Sequence, residues 1–262
     1  MYFIDVQGTL LSDSDKSLIK GAKELIDFFN QKDIPYIVIT NNTKFKSDDF
    51  LENLRSKGLE IKDNAYLDPF CVLKEILAPC NIAPFGAIEF KQTMQDLGYT
   101  LDYNDPKAIL IASGNDFKFE DFALMNELAL NGARLIAMHG TSIYKKNGRL
   151  YPGVGAITAM IRVSTSVGSI AVGKPSVAFY ERALNLIRKQ RRGAEFGDIT
   201  IISDDAKGDL VDAKALNMKT NLVLSGKVSN PKKSGVDLAI LDEIYPSVNE
   251  ILENINAKYW TN

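Results

Sequence analysis

Residues able to do chemistry stand at four places where an apolar run stops. Asp5-Val6-Gln7-Gly8-Thr9 follows Tyr2, Phe3 and Ile4, and Thr40-Asn41-Asn42-Thr43 follows Tyr36 to Ile39. Gly173-Lys174-Pro175 follows Val172, and Ser203-Asp204-Asp205 follows Ile202, with Asp209 a helical turn further on. A carboxylate at the end of a short buried strand suits a nucleophile, and Gly8 lets the backbone fold tightly around an anion. Phosphate chemistry is the expectation.

The elements that must position these residues alternate between strand and helix. Leu18, Ile19, Ala22, Leu25, Ile26 and Phe29 recur at helical spacing as far as Lys32. Pro35 opens a buried strand over 36–39, and Ser47 can cap the next helix, which ends near Gly58. This is a parallel α/β unit, whose ligand site lies beyond the strand C-termini, where Asp5 and Thr40 fall. The middle of the chain predicts helices near 69–78, 88–98 and 119–131 and strands at 108–112 and 134–138. The first pattern then resumes with a strand at 169–172, a helix over 176–190, a strand at 199–202, a helix over 208–216 and a strand at 220–224. We therefore expect an α/β core over 1–78 and 169–262 that carries an inserted α/β domain at 79–168.

In chain order, these four segments resemble the haloacid dehalogenase superfamily, specifically its NagD-type subclass (class IIA), in which a large α/β cap of type C2 separates the second and third motifs. The resemblance spans nearly the whole chain. It is sharpest in the Thr40-Asn41-Asn42 loop, in Gly21-Ala22, in Gly173-Lys174-Pro175 and in Leu222 to Gly226. It implies a doubly wound parallel-sheet core with a cap, and a Mg²⁺-dependent phosphatase acting on a small phosphorylated metabolite. Asp5 would attack phosphorus and form an aspartyl-phosphate. Gln7 and Gly8, the Thr40 hydroxyl, the donors of Asn41 and the point charge of Lys174 would cradle the phosphate, with Lys174 also keeping Asp5 ionised. Mg²⁺ would take Asp5, the main-chain carbonyl of Gln7 and Asp204. Asp204 is preferred over Asp205 because its spacing to Asp209 matches the family pattern, and Asp209 would orient metal waters or Lys174. In the cap, His139, Thr141, Tyr144 and the Gly153-Val154-Gly155 turn are the candidates for substrate contact, and a homodimer through the caps is a further expectation.

One position departs from the family. Phosphatases of this superfamily carry an Asp two residues after the nucleophile, which protonates the leaving alkoxide and then activates water. Here Gln7 stands there. An amide donates hydrogen bonds but cannot deliver or accept a proton near neutral pH, so general acid and base help, typically worth ~10²–10⁴-fold, should be missing. Aryl or acyl phosphates should suffer less than alkyl phosphates. The alternative is a phospho-ligand binding or regulatory protein that keeps the cradle and has largely lost hydrolysis.

Composition narrows the partners. The 262 residues have a net charge of −2, 45% hydrophobic and 24% charged residues, which gives no basic field for nucleic acid or an anionic membrane. The basic run Arg188-Lys189-Gln190-Arg191-Arg192 is expected to solvate a helix end. Cys71 and Cys80 fit neither a disulfide framework nor a metal cluster, and no stretch approaches the ~20 apolar residues of a membrane span. A cytoplasmic, unexported protein is the expectation.

Overall fold

The computed structural model describes residues 1–146 and 149–260 and divides into two compact units, one of 1–40, 51–67 and 181–262, the other of 41–50 and 68–180. In chain order the strands of the first unit are β1 (Tyr2–Asp5), β2 (Tyr36–Ile39) and β3 (Tyr66–Leu67). After the second unit come β11 (Thr200–Ser203), β12 (Lys219–Val223) and β13 (Glu243–Tyr245). They form one parallel sheet in the order β13-β12-β11-β1-β2-β3. The register pairs Ile4 with Ile202 on one side and with Val38 on the other. Such a central strand is apolar throughout because helices cover both faces of a parallel sheet. Helix α1 (Ala22–Gln31) buries Leu25, Ile26, Phe28 and Phe29, and the Phe29 ring stacks on Tyr2 at 4.7 Å between centroids. The closing helix α9 (Val248–Trp260) crosses α1 so closely that a side chain at Gly21 would run into the Asn249 main chain. Helix α2 (Ser47–Ser56) follows the Thr40-Asn41-Asn42 loop.

The second unit holds α3 (Pro69–Ile76), β4 (Asn81–Phe85), α4 (Ile88–Asp96), β5 (Thr100–Leu101), β6 (Ala108–Ile111), α5 (Phe119–Leu130) and β7 (Arg134–Ala137). A hairpin, β8 (Ile143–Lys146) and β9 (Arg149–Pro152), leads to α6 (Val154–Thr165) and β10 (Ser169–Ala171). Its five-stranded parallel sheet runs β10-β7-β6-β4-β5 around a core of Phe85, Ile109, Ile111, Met125, Leu135, Ile157 and Ile161. Strand β10 pairs with β7, Ser169 beside Leu135, and so extends this sheet instead of resuming the first one as the sequence pattern suggests. Helix α7 (Val177–Gln190) follows β10 in the chain, and α8 (Val211–Ala215), preceded by a π-helical turn at Ala206–Leu210, comes between β11 and β12. Among the described residues no helix is long and apolar enough to cross a membrane.

Candidate active site

Strand β1 ends in Asp5, 6% exposed, with β2 and β11 on either side. Directly after it the chain turns back on itself, the Val6 carbonyl accepting from the N–H groups of Leu10 and Leu11 at 2.9 Å each. This turn needs Gly8, whose φ of 72° lies in the left-handed region. The Ser225 hydroxyl pins the turn from the end of β12 by donating to the Gly8 carbonyl at 2.7 Å. Gly8 and Gly226 also make room for Asp204: a Cβ at either would collide with its carboxylate, and one at Gly226 would in addition strike the Gly8 Cα. The carboxylate is thus wedged between two backbones that approach only because neither carries a side chain.

Asp204, 2% exposed, accepts from the Lys227 N–H at 2.6 Å. Burial first, and then the negative charge of Asp5, push its carboxyl up to about 8. Its neighbour Asp205 faces other partners, accepting from Gly208 N–H at 2.8 Å, where it caps the π-helical turn, and from Lys227 Nζ at 2.5 Å. Burial works against the Lys227 ammonium, but the adjacent Asp205 charge outweighs it and drives the group up to about 12. Asp209 takes the Ser203 hydroxyl at 2.7 Å, and the same hydroxyl accepts from Asp205 N–H. Thr40, 2% exposed, stands at the end of β2, its N–H donating to Leu67. The side chain of Gln7 is held by Lys16, whose Nζ donates to Oε1 at 2.7 Å.

No three His, Cys, Asp or Glu side chains gather closely enough to hold a metal ion among the described residues. Mg²⁺ does not require three, since it keeps several waters and commonly takes one or two carboxylates. Two buried carboxylates whose charges oppose one another, Asp5 and Asp204, together with main-chain oxygen, are a donor set that fits this hard cation.

In the second unit, Asn41 and Lys174 come together. Asn41 Oδ1 accepts from Lys174 N–H at 2.9 Å, while its Nδ2 donates to the Lys174 carbonyl at 3.3 Å. That carbonyl also accepts from Gly140 N–H at 2.9 Å, and Gly173 lies against the Asn41 amide and the Met138 carbonyl without space for a Cβ. The lysine is 3% exposed. Asn42 turns inward, donating to Phe45 carbonyl and to Asp68, which also accepts from the Ser47 hydroxyl and caps α3 through Phe70 N–H. The Cys71 thiol beside Ser47 is pushed up to about 11 by burial and by the Asp68 charge, which makes it inert. His139, beyond β7, shares a hydrogen bond of 2.9 Å between Nε2 and the Ser113 hydroxyl beyond β6. The Thr141 carbonyl accepts from Gly155 N–H, and Tyr144 donates to Asn115 at 2.9 Å and stacks on Tyr151.

Lys227, Ser225, Ser113 and Lys16 were not singled out by sequence reasoning. Gly226, the last residue of the Leu222 to Gly226 run, was the one available signal for the first two.

Comparisons with known proteins place the chain by family and fold. Residues 2–100 match a family model described as haloacid dehalogenase-like hydrolase, and residues 171–250 match a second, described as HAD-hydrolase-like. An acid sugar phosphatase of Staphylococcus aureus (strain USA300) is 27% identical over 232 residues, 86% of either chain. Among solved structures, a p-nitrophenyl phosphatase from Archaeoglobus fulgidus superposes with a TM-score of 0.79 at 22% identity, covering 97% of this chain and 98% of that one. NagD from E. coli K-12 superposes with a TM-score of 0.73 at 22% identity over 95% and 96%. With two such models together matching most of its length and the NagD-type architecture repeated from end to end, this chain belongs to the haloacid dehalogenase-like hydrolases.

Proposed function

We propose that the chain is a Mg²⁺-dependent phosphatase of a small phosphorylated metabolite. The observation that carries this reading is the pair of buried, mutually repelling carboxylates Asp5 and Asp204 at the ends of adjacent strands. The related proteins bearing phosphatase names support it.

Asp5 attacks phosphorus through one carboxylate oxygen. The bond from phosphorus to the leaving oxygen breaks, its electron pair departing with that oxygen, and an aspartyl-phosphate remains on Asp5. Water then attacks phosphorus, the bond to Asp5 breaks, and the carboxylate is restored as inorganic phosphate and a proton are released. Thr40, the backbone N–H of Asn41 and the Lys174 ammonium hold the equatorial oxygens, while the Gly8 N–H is taken by the Leu11 carbonyl at 2.7 Å and serves the turn instead. Asn41 has a second task, since its side-chain amide fixes the main chain from which Lys174 projects. Asp5, Asp204 and the Gln7 carbonyl would hold Mg²⁺, which supplies charge neutralisation for the phosphoryl group. Asp209 steadies the Asp204 segment through Ser203. His139 with Ser113, Thr141 and Tyr144 belong to substrate selection.

A second reading, a phospho-ligand binding protein with little turnover, is favoured by Gln7 alone. Assays with Mg²⁺ on p-nitrophenyl phosphate and glycerol phosphate, for wild type, Gln7→Asp and Asp5→Asn, separate the two. Aryl phosphate turnover that disappears in Asp5→Asn supports the enzyme, and Gln7→Asp should raise glycerol phosphate turnover by ~10²-fold or more. A wild type inert on both substrates, with activity gained only in Gln7→Asp, favours the binding protein.

A further inference from the structure

Behind the nucleophile's segment, a loop carries a cation back to Gln7. Leu11 and Leu18 pair in an antiparallel bridge, and the chain between them is closed by Ser12 N–H on the Ser17 carbonyl at 2.9 Å and Lys16 N–H on the Ser12 carbonyl at 3.2 Å. Within it Lys16 adopts φ 59°, a left-handed backbone that residues with side chains adopt reluctantly and that merits a functional question where it occurs. The side chain is exposed but tethered at its tip. Its Nζ donates to Gln7 Oε1 at 2.7 Å and to the Asp13 carbonyl at 3.0 Å. Gln7 Oε1 therefore lies on the ammonium, and Nε2, which donates to no other group among the described residues, is the end left for a substrate.

We propose that Lys16 is a positioning residue: it fixes and polarises the Gln7 amide so that Nε2–H donates to the departing oxygen of a phosphate, and the site accordingly takes acyl and aryl phosphates ahead of alkyl phosphates. This rests on the phosphatase reading. An amide without the clamp has two orientations, and the one that turns Oε1 to an anionic phosphate is repulsive. A cation on Oε1 removes that orientation and strengthens donation at the other end, because linked hydrogen bonds polarise one another. The donor stabilises charge as it develops without giving up a proton. When the bond from phosphorus to the leaving oxygen breaks, the electron pair stays on that oxygen and the group departs as an anion. A carboxylate or aryl oxide tolerates this, whereas an alkoxide does not.

Steady-state kinetics of the full chain with Mg²⁺ on acetyl phosphate, p-nitrophenyl phosphate and glycerol phosphate test the idea in wild type, Asp5→Asn, Lys16→Met, Lys16→Arg, Lys16→Asn, Gln7→Leu and the Lys16→Met/Gln7→Leu pair. Wild type should prefer the first two substrates. Lys16→Met should lower kcat on p-nitrophenyl phosphate about tenfold, short of the ~10²–10³ expected for outright loss of such a donor, with KM within about twofold. Lys16→Arg should recover most of the rate. Lys16→Asn, which suits a left-handed backbone, should keep the melting temperature yet show the same fall in kcat. Adding Lys16→Met to Gln7→Leu should change nothing further, because a group that acts only through Gln7 has no partner left. An unchanged kcat in Lys16→Met, an additive loss in the double variant, or glycerol phosphate turned over as fast as acetyl phosphate overturns the proposal. If wild type is active, depends on Asp5 and ignores Lys16→Met, this inference alone fails. If it is inert on all three substrates, the phosphatase reading fails and takes the inference with it.

Discussion

Replacing Asp204 by Asn removes an ionisable group while keeping the shape and the acceptor for Lys227 N–H, and it should stabilise the metal-free protein by an amount that grows with pH. Burial and the Asp5 charge push this carboxyl from 3.8 up to about 8 in the fold. Over the range between those values the folded chain holds a proton that the unfolded chain has released. The stability this group contributes is therefore complete below about pH 4 and is lost as pH rises through about 8. The slope is ~1.4 kcal/mol per pH unit, so wild type should give up about 3 kcal/mol between pH 5 and pH 7 that Asp204→Asn does not. In thermal melts in EDTA, the gap between variant and wild type should widen by roughly 6–12 °C over that interval for a chain of this size. Excess Mg²⁺ should close it by stabilising wild type alone, since a ligand bound only by the folded state raises its stability by mass action. Melting curves that stay parallel from pH 5 to pH 8 would falsify the claim that Asp5 and Asp204 are buried against one another. An Asp204→Asn protein that gains as much from Mg²⁺ as wild type would instead remove Asp204 from the ligand set.

Two further substitutions probe the packing that builds the site. Gly226→Ala drives a methyl into the Asp204 carboxylate and the Gly8 Cα, so it should destabilise the fold by ~1–3 kcal/mol in a thermal melt and weaken the Mg²⁺ response, whereas an unaltered response would show that the two glycines are not needed to seat the carboxylate. Asn41→Ala removes both hydrogen bonds to the Lys174 main chain, at ~1–3 kcal/mol for the groups left unpaired, and should raise KM for any phosphate substrate more than it lowers kcat, as steady-state kinetics would reveal.

How much of this could be read from the chain depends on the range of the interactions. Strands β1 and β2 were legible because Tyr2-Phe3-Ile4 and Tyr36-Ile37-Val38-Ile39 are unbroken apolar runs that a sheet covered on both faces demands. Strand β4 was not, because Pro84 interrupts it, and β5 spans only Thr100 and Leu101, too short for any periodicity. Nothing local in Ser169-Ile170-Ala171 says which sheet will accept it, since pairing with Leu135 to Ala137 is a tertiary choice. The same limit applies to the site. Asp5, Thr40, Lys174 and Asp204 stand at or within three residues of a strand end, which is why position alone suggested them, and Asn41 was expected to serve phosphate, not to anchor Lys174 as well. Lys227 joins Asp204 and Asp205 from the far end of β12, and Lys16 joins Gln7 through a polar loop whose unusual φ no composition rule predicts.

That residues so far apart in the chain can nevertheless work together follows from where β1 lies. It comes first in the chain but stands inside the sheet, with β2 and β3 wound to one side and β11, β12 and β13 to the other. The chain thus leaves β1 in one direction and returns on its other flank, which makes the end of β1 the topological switch point where open parallel sheets bind ligands. Register does the rest. Ile4 beside Ile202 and Asp5 beside Ile39 bring the end of β1 level with the last residues of its neighbours, so Thr40 and Asp204 both emerge one residue beyond it. Side chains alternate faces along a strand, so a slip of β1 by a single residue would exchange the faces that Phe3 and Ile4 pack against and carry Asp5 out of line with Asp204. The apolar side chains of Phe3 and Ile4, both fully buried, oppose that slip, so the position of Asp5 is set by the packing of the core beneath it.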